Sequence, residues 1–205
     1  MRALLFCDQS VICMAIEKER TLVLIKPDGV ERAVIGNVIT KFEEAGLKVV
    51  GMKLIKADED TVGKHYVYDE GWLVSVGTKA KKSMKEKGID SPETELDIGK
   101  RVRNLLIKEL TRSPIVAMVL EGYSTTEVAR KIAGPTEPKK ADPSTIRGGF
   151  SSDSYELADA FKRPVRNVVH VSESKEIAEK EIKLWFKDSE IFGYKRADET
   201  ALFGA

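Results

Sequence analysis

Thr21-Leu22-Val23-Leu24-Ile25, running into Lys26-Pro27-Asp28-Gly29, is the stretch on which the fold turns. A continuous apolar run closed by a Pro-Asp-Gly cluster predicts a strand buried on both faces and ended by a turn. Beyond it, Ile35, Val38, Ile39 and Phe42 recur at i, i+3, i+4 and i+7, and Gly46 stands where a left-handed cap would stop an amphipathic helix. Leu47 to Lys56 predicts a second strand, and Asp58 caps a helix that runs through His65-Tyr66. Pro114 to Leu120 predicts a third strand. Ser124 with Glu127 gives a capping box for a helix that stops at Gly134. A long polar connection then leads to a short strand, Arg166 to Val171, and a helix, Ser174 to Phe186. This order predicts an α+β fold, a ferredoxin-like βαββαβ antiparallel sheet with flanking helices. A doubly wound parallel sheet shares the alternation and is the competing topology.

From Val74 to Arg112 the pattern changes. Lys79, Lys81, Lys82, Lys85 and Lys87 crowd a segment that stops at Gly88, and Ile98, Val102, Leu105 and Leu106 then share one helical face. This predicts an inserted helical segment at about 74–112 within a domain spanning 19–205. Residues 1–18 are expected to form a disordered N-terminal extension. Asp8-Gln9-Ser10 interrupts their apolar patches, which are too short and broken for a signal sequence or a membrane span.

The 205 residues are 42% hydrophobic and 33% charged, enough to core one domain. A net charge of +1 provides no global field for polyanions, so any anion site must be built locally. Cys7 and Cys13 make no disulfide framework, and His65 and His170 alone make no His-rich metal site. A cytoplasmic protein with no membrane partner is expected.

Common nucleotide-enzyme signatures are absent. Gly63-Lys64 runs into His65 and Gly99-Lys100 into Arg101, so no phosphate-loop consensus forms; G-x-G-x-x-G, H-R-D and D-F-G do not occur. His170 ends the apolar pair Val168-Val169. An ordinary strand-end histidine would simply hydrogen-bond, but imidazole is also a covalent nucleophile whose ring nitrogen can attack phosphorus near neutral pH. Such a ring needs a group to fix its tautomer. Ile177, Ala178, Ile182 and Trp185 share one face of the last helix, and the 100° step puts Glu181 in the middle of it. A carboxylate there costs on the order of several kcal/mol unless paired, so Glu181 is the candidate partner. Lys26, Arg130 and Arg147 are candidate phosphate-binding cations, and Gly148-Gly149 let backbone approach a ligand closely. Phosphoryl transfer asks mainly for positioning and charge stabilisation, which this set can supply.

In order along the chain, Glu19-Arg20-Thr21, Ile25-Lys26-Pro27-Asp28-Gly29-Val30, Lys64-His65-Tyr66, Ser113-Pro114-Ile115-Val116-Ala117-Met118-Val119-Leu120-Glu121-Gly122, Thr145-Ile146-Arg147-Gly148, Asn167-Val168-Val169-His170 and Ala178-Glu179-Lys180-Glu181-Ile182 resemble the motifs of nucleoside diphosphate kinases. The resemblance spans Glu19 to about Tyr194 apart from the insertion, which is of a kind seen in archaeal members. It implies a ping-pong phosphotransferase. A nucleoside triphosphate phosphorylates His170, and a second nucleoside diphosphate collects the group, which maintains nucleotide pools. It assigns Lys26 and Asn167 to the ribose, with Lys26 also near the reacting phosphate, and Arg130, Thr136 and Arg147 to the phosphates. Tyr66 stands beside the catalytic histidine and Glu181 orients it. Mg²⁺ is implied as an ion held mainly by nucleotide phosphates, with no protein metal cage. A homo-oligomer, hexamer or tetramer, is implied as well.

The chain departs from the pattern in three places. Val171-Ser172-Glu173 follows His170 where the family has Gly-Ser-Asp, adding a β-branch beside the nucleophile. The link Ser151 to Arg166 is longer than usual, and the insertion follows the segment that supplies the base-stacking aromatic. Trp72 is the candidate for that stacking, with core packing as the alternative. Two rival functions are a nucleotide-binding regulatory protein without turnover and a nucleic-acid-binding module using the Lys-rich insertion. The complete set of His170, Glu181 and three cations argues against the first, and nucleic acid is not the expected partner.

Overall fold

The computed structural model describes residues 17–66, 69–86 and 88–204. The extension predicted at the N-terminus lies outside them up to residue 16. In chain order, β1 (Glu19–Ile25) is followed by α1 (Pro27–Glu31), α2 (Ile35–Glu44) and β2 (Lys48–Ile55). Then come α3 (Glu59–His65), α4 (Glu70–Glu86), α5 (Glu95–Thr111) and β3 (Ile115–Gly122). Next are α6 (Thr125–Ala133), α7 (Ile146–Phe150), α8 (Tyr155–Ala160) and β4 (Val169–Val171). Finally, α9 (Lys175–Trp185) and α10 (Glu199–Phe203) follow β4.

The sheet has the order β2-β3-β1-β4, and every neighbouring pair is antiparallel. This is the ferredoxin-like arrangement, and the doubly wound parallel alternative is excluded. β1 lies centrally, which explains its unbroken hydrophobicity. Leu22 and Leu24 point to one face and Val23 and Ile25 to the other, as the two-residue strand period requires. On the second of these faces Val38 and Phe42 of α2 and Ala129 and Ala133 of α6 complete a core. On the first, Val62 of α3, Leu110 of α5, and Ile182 and Trp185 of α9 complete another. Complete burial of Phe42 contributes roughly 1.5–3 kcal/mol. Asp58 caps α3 as expected, accepting the Thr61 N–H at 2.8 Å.

Three local expectations are corrected. Ser124 adopts φ +48° and makes no side-chain cap, so the capping box does not form. Glu19 of β1 instead accepts the Thr126 N–H at 3.0 Å, a tertiary partner replacing the local one. The last strand is only Val169–Val171, because Val168 has φ +68° and cannot continue a ladder. The link before it contains α8. The helical hairpin expected from about residue 74 begins at Glu70, earlier than its lysine run suggests. Its helices α4 and α5 cross with glycine on both sides. A methyl group on Gly77 would overlap the Glu95 backbone, and one on Gly99 the Leu73 backbone. Leu73 and Ile98 are buried in the same hairpin.

Candidate active site

His170 sits on β4, an edge strand, opposite Leu24 of β1. Directly paired residues share a sheet face, so the imidazole projects to the side covered by α3 and α9. There α9, capped by Ser174, presents Glu181 from its buried stripe. His170 Nε2 lies 3.1 Å and 3.2 Å from the two Glu181 carboxyl oxygens, and the Ser172 hydroxyl donates to one of them at 2.6 Å. Burial opposes ionisation of Glu181, but the His170 hydrogen bond and charge, with His65 and Ser172, outweigh it and hold the carboxyl below its usual range. An ionised carboxylate only accepts, so Nε2 carries the ring proton. The Nδ1 lone pair is then left to react.

His65 closes the other side of this group. It is buried, and its ring stands edge-on to that of His170, with centroids 4.5 Å apart at 81°. Its Nδ1 lies 3.3 Å from the Trp185 indole N–H nitrogen and 3.3 Å from a Glu181 oxygen. Burial first, then the His170 charge, depresses His65 to about 3, so it stays neutral at physiological pH. Tyr66 packs against His65 at 4.9 Å between centroids, and burial chiefly, reinforced by the Glu181 charge, holds its phenol proton more firmly than usual. Trp72, half-buried on α4, lies 6.4 Å from Tyr66 with rings tilted by 31°.

The cations gather at the neighbouring ends of β1 and β4. Lys26 Nζ donates to Asn167 Oδ1 at 2.7 Å, and the Asn167 amide donates to the Thr136 carbonyl at 2.8 Å. Burial above all, and then the nearby Arg147 charge, lower Lys26 to about 8. Arg147, on α7, donates to the Gly134 carbonyl at 2.7 Å and the Val169 carbonyl at 2.9 Å. Its Nε is buried without a partner. Burial, helped by the Arg130 charge, lowers Arg147 to about 10. Arg130 is exposed on α6 and lines a recess of about 370 Å³ with Glu127, Glu173 and Ser174. His170, Glu181, Lys26, Tyr66, Asn167, Thr136 and Arg147 are thus linked through direct contacts and the β4 backbone, Arg130 is near enough for its charge to act on Arg147, and Trp72 joins through Tyr66.

Val171 pairs with Val23 and is buried in the core on the α2 and α6 side. Its β-branch therefore points away from the imidazole, and the departure from glycine leaves the ring uncrowded. Three contributors were not singled out from sequence: His65, Ser172 and Trp185. His65 stands in Lys64-His65-Tyr66 and Trp185 on the apolar face of the last helix, but only the fold brings them to the His170–Glu181 pair.

The family described as nucleoside diphosphate kinase matches residues 19–72 and 96–191 of this chain. A nucleoside diphosphate kinase of Pyrobaculum aerophilum is 42% identical over 178 residues, covering 84% of this chain and 97% of its own length. A crystal structure of an NDP kinase from that organism superposes with a TM-score of 0.84 at 40% identity, covering 86% of this chain and 100% of that one. The nucleoside-diphosphate kinase of Borrelia burgdorferi, solved as a transition state mimic with vanadate and ADP, gives 0.74 at 38% identity, covering 90% and 96%. With its antiparallel sheet and its histidine–glutamate pair in place, the chain belongs to the nucleoside diphosphate kinase family.

Proposed function

We propose that this protein moves the γ-phosphoryl group of a nucleoside triphosphate onto a nucleoside diphosphate of another base, through a phosphohistidine at His170. The observation that carries the reading is the Glu181 grip on Nε2 at 3.1 Å, which leaves Nδ1 unprotonated and free. In the first half-reaction the Nδ1 lone pair attacks the γ-phosphorus, and the bond to the β,γ-bridging oxygen breaks. The nucleoside diphosphate departs with that electron pair. The second half-reaction runs the same step backwards with a new diphosphate as acceptor. Glu181 stabilises the positive charge that grows on the ring. Lys26, Arg130 and Arg147 supply counter-charge for the equatorial and leaving oxygens, and Thr136 and Asn167 orient phosphate and ribose.

Mg²⁺ would enter with the nucleotide. The lining is cationic, and the Glu181 carboxylate already accepts from Ser172 and faces His170 Nε2, so the fitting ligands are phosphate oxygens. When bound, the ion neutralises phosphate charge. Trp72, beside Tyr66, is proposed to stack on the base, and the 74–112 segment to extend that wall. The protein is proposed to work as a cytoplasmic homo-oligomer, a hexamer or tetramer. Among the described residues no helix is long and apolar enough to cross a membrane.

Incubation with γ-labelled ATP and Mg²⁺ tests the reading. Acid-labile label on the protein, chased completely by an unlabelled diphosphate of a second base, is expected. Binding of nucleotide with no label would leave a regulatory binding protein.

A pH profile gives a second check. Protonated Lys26 is the form that attracts phosphate, and it titrates at about 8 in the free protein. Accordingly kcat/KM should decline as pH rises through about 8, whereas bound phosphates favour the proton and shift the limb of kcat upward. Lys26→Arg should remove the alkaline limb, at a lower absolute rate, because guanidinium keeps its proton. An unchanged limb in that variant would show that another group titrates.

A further inference from the structure

The segment that joins Asn167 to His170 contains a conformation that needs support. Val168, a β-branched residue, sits at φ +68°. The Val169 N–H reaches back to the Asn167 carbonyl at 2.7 Å, closing a three-residue turn whose positive-φ form is rare and strained. Such a conformation persists only where its surroundings over-determine it.

Here both backbone polar groups of Val168 are taken by the turn that carries Lys26. The Val168 N–H donates to Asp28 Oδ2 at 2.9 Å, and the Val168 carbonyl accepts from the Lys26 N–H at 2.8 Å. Val168 is wholly buried and Asp28 is 5% exposed, so water cannot substitute for either contact. The approach is close enough to require glycine next to Asp28. A methyl group on Gly29 would lie 2.8 Å from Ile25 Cγ2, 3.0 Å from Val168 Cγ1 and 3.1 Å from the Val168 carbonyl oxygen. The other Asp28 oxygen is buried without a partner, so the side chain is committed to this one contact.

We propose that Asp28 is a positioning residue for phosphoryl transfer. Its side chain clamps the strained Val168 turn and thereby fixes Lys26, Asn167 and His170 relative to one another. The proposal rests on the phosphotransfer reading above. Lys26 lies two residues before the clamp, while Asn167 and His170 flank Val168 by one and two residues. If Val168 relaxed to an ordinary extended conformation, the chain direction between Asn167 and His170 would change. The Lys26–Asn167 contact and the aim of the imidazole would then be lost together.

The test compares Asp28→Ala, Asp28→Asn and the double variant Asp28→Ala with Val168→Gly. Asp28→Ala is expected to slow single-turnover phosphorylation of His170 on the order of 10²-fold, as misplacement of reacting groups does, with nucleotide KM changed by less than about threefold. Asp28→Asn keeps an oxygen that accepts the Val168 N–H and should stay within roughly tenfold of the native rate. Glycine adopts positive φ without support, so Val168→Gly should recover about tenfold or more of what Asp28→Ala loses. Equal impairment of the Ala and Asn variants, or no recovery in a folded double variant, would overturn the clamp. Hydrogen exchange provides a readout that needs neither turnover nor the double variant. The Val168 amide should exchange at least about 10²-fold faster in Asp28→Ala than in the native chain, and an unchanged rate overturns the proposal. A native chain with that amide protected but no phosphoryl label would sink the phosphotransfer reading instead, leaving the clamp established by the exchange data.

Discussion

Replacing His170 with alanine is expected to lower phosphotransfer by on the order of 10⁵-fold or more, the scale seen when a covalent nucleophile is removed. His65, the only other histidine, is not placed to substitute for it. It is buried behind His170 with Nδ1 between Trp185 and Glu181, where a nucleotide phosphate has no access. Nucleotide binding should persist, because the Lys26–Asn167 pair and the Arg147 anchors to Gly134 and Val169 do not involve the imidazole. The expected result is therefore a folded protein that binds nucleotide with KM-scale affinity and carries no acid-labile label. Label retained by His170→Ala would place the phosphoryl group elsewhere and refute the assignment.

Glu181→Gln should produce the second largest loss, about 10³–10⁴-fold in kcat, comparable with the loss when a carboxylate orienting a catalytic histidine is replaced by its amide. The substitution changes little in size but halves the accepting oxygens. Ser172 donates to Glu181 at 2.6 Å, and Leu22 places its N–H on the Ser172 hydroxyl, so the serine holds its position. A glutamine that keeps its oxygen on Ser172 turns its NH₂ toward His170 Nε2. That donor selects the tautomer with the proton on Nδ1, the atom that must attack. The charge that stabilises the developing imidazolium is removed as well. Nucleotide KM should move by less than about fivefold, since Glu181 touches no phosphate-binding group in the fold. A rate within tenfold of native would show that tautomer control does not come from this residue. Melting temperatures of the variant and native chains, read alongside, would separate this effect from general destabilisation.

Much of the architecture was legible because it is periodic. The unbroken apolar run of β1 reported burial on two faces, and the spacing of Ile35, Val38, Ile39 and Phe42 gave α2 nearly to its ends. The placement of Glu181 within an apolar stripe was also readable, since the helical step alone puts it there. Ile177, counted on the same stripe, is 37% exposed in the first turn of α9. The Ser124 capping box failed for a different reason. Its residue types were right, but Ser124 adopts a left-handed conformation and Glu19, distant in sequence, takes the Thr126 N–H of the first turn.

Taken alone, the sequence determined which segments become strands and helices, which face of each is apolar, and which residue types could carry phosphoryl chemistry. Those properties follow from interactions within a few residues, where spacing along the chain is spacing in space. Tertiary structure alone decided which groups touch. Lys26 meets Asn167 across 141 residues, because β1 and β4 pair in this sheet and not in the parallel alternative. Only the packed sheet and helices set Nε2 of His170 against Glu181 and so chose Nδ1 as the free atom. The strained backbone at Val168 belongs to the same class: local propensity opposes a β-branched residue there, and long-range contacts from Asp28 and Lys26 overrule it.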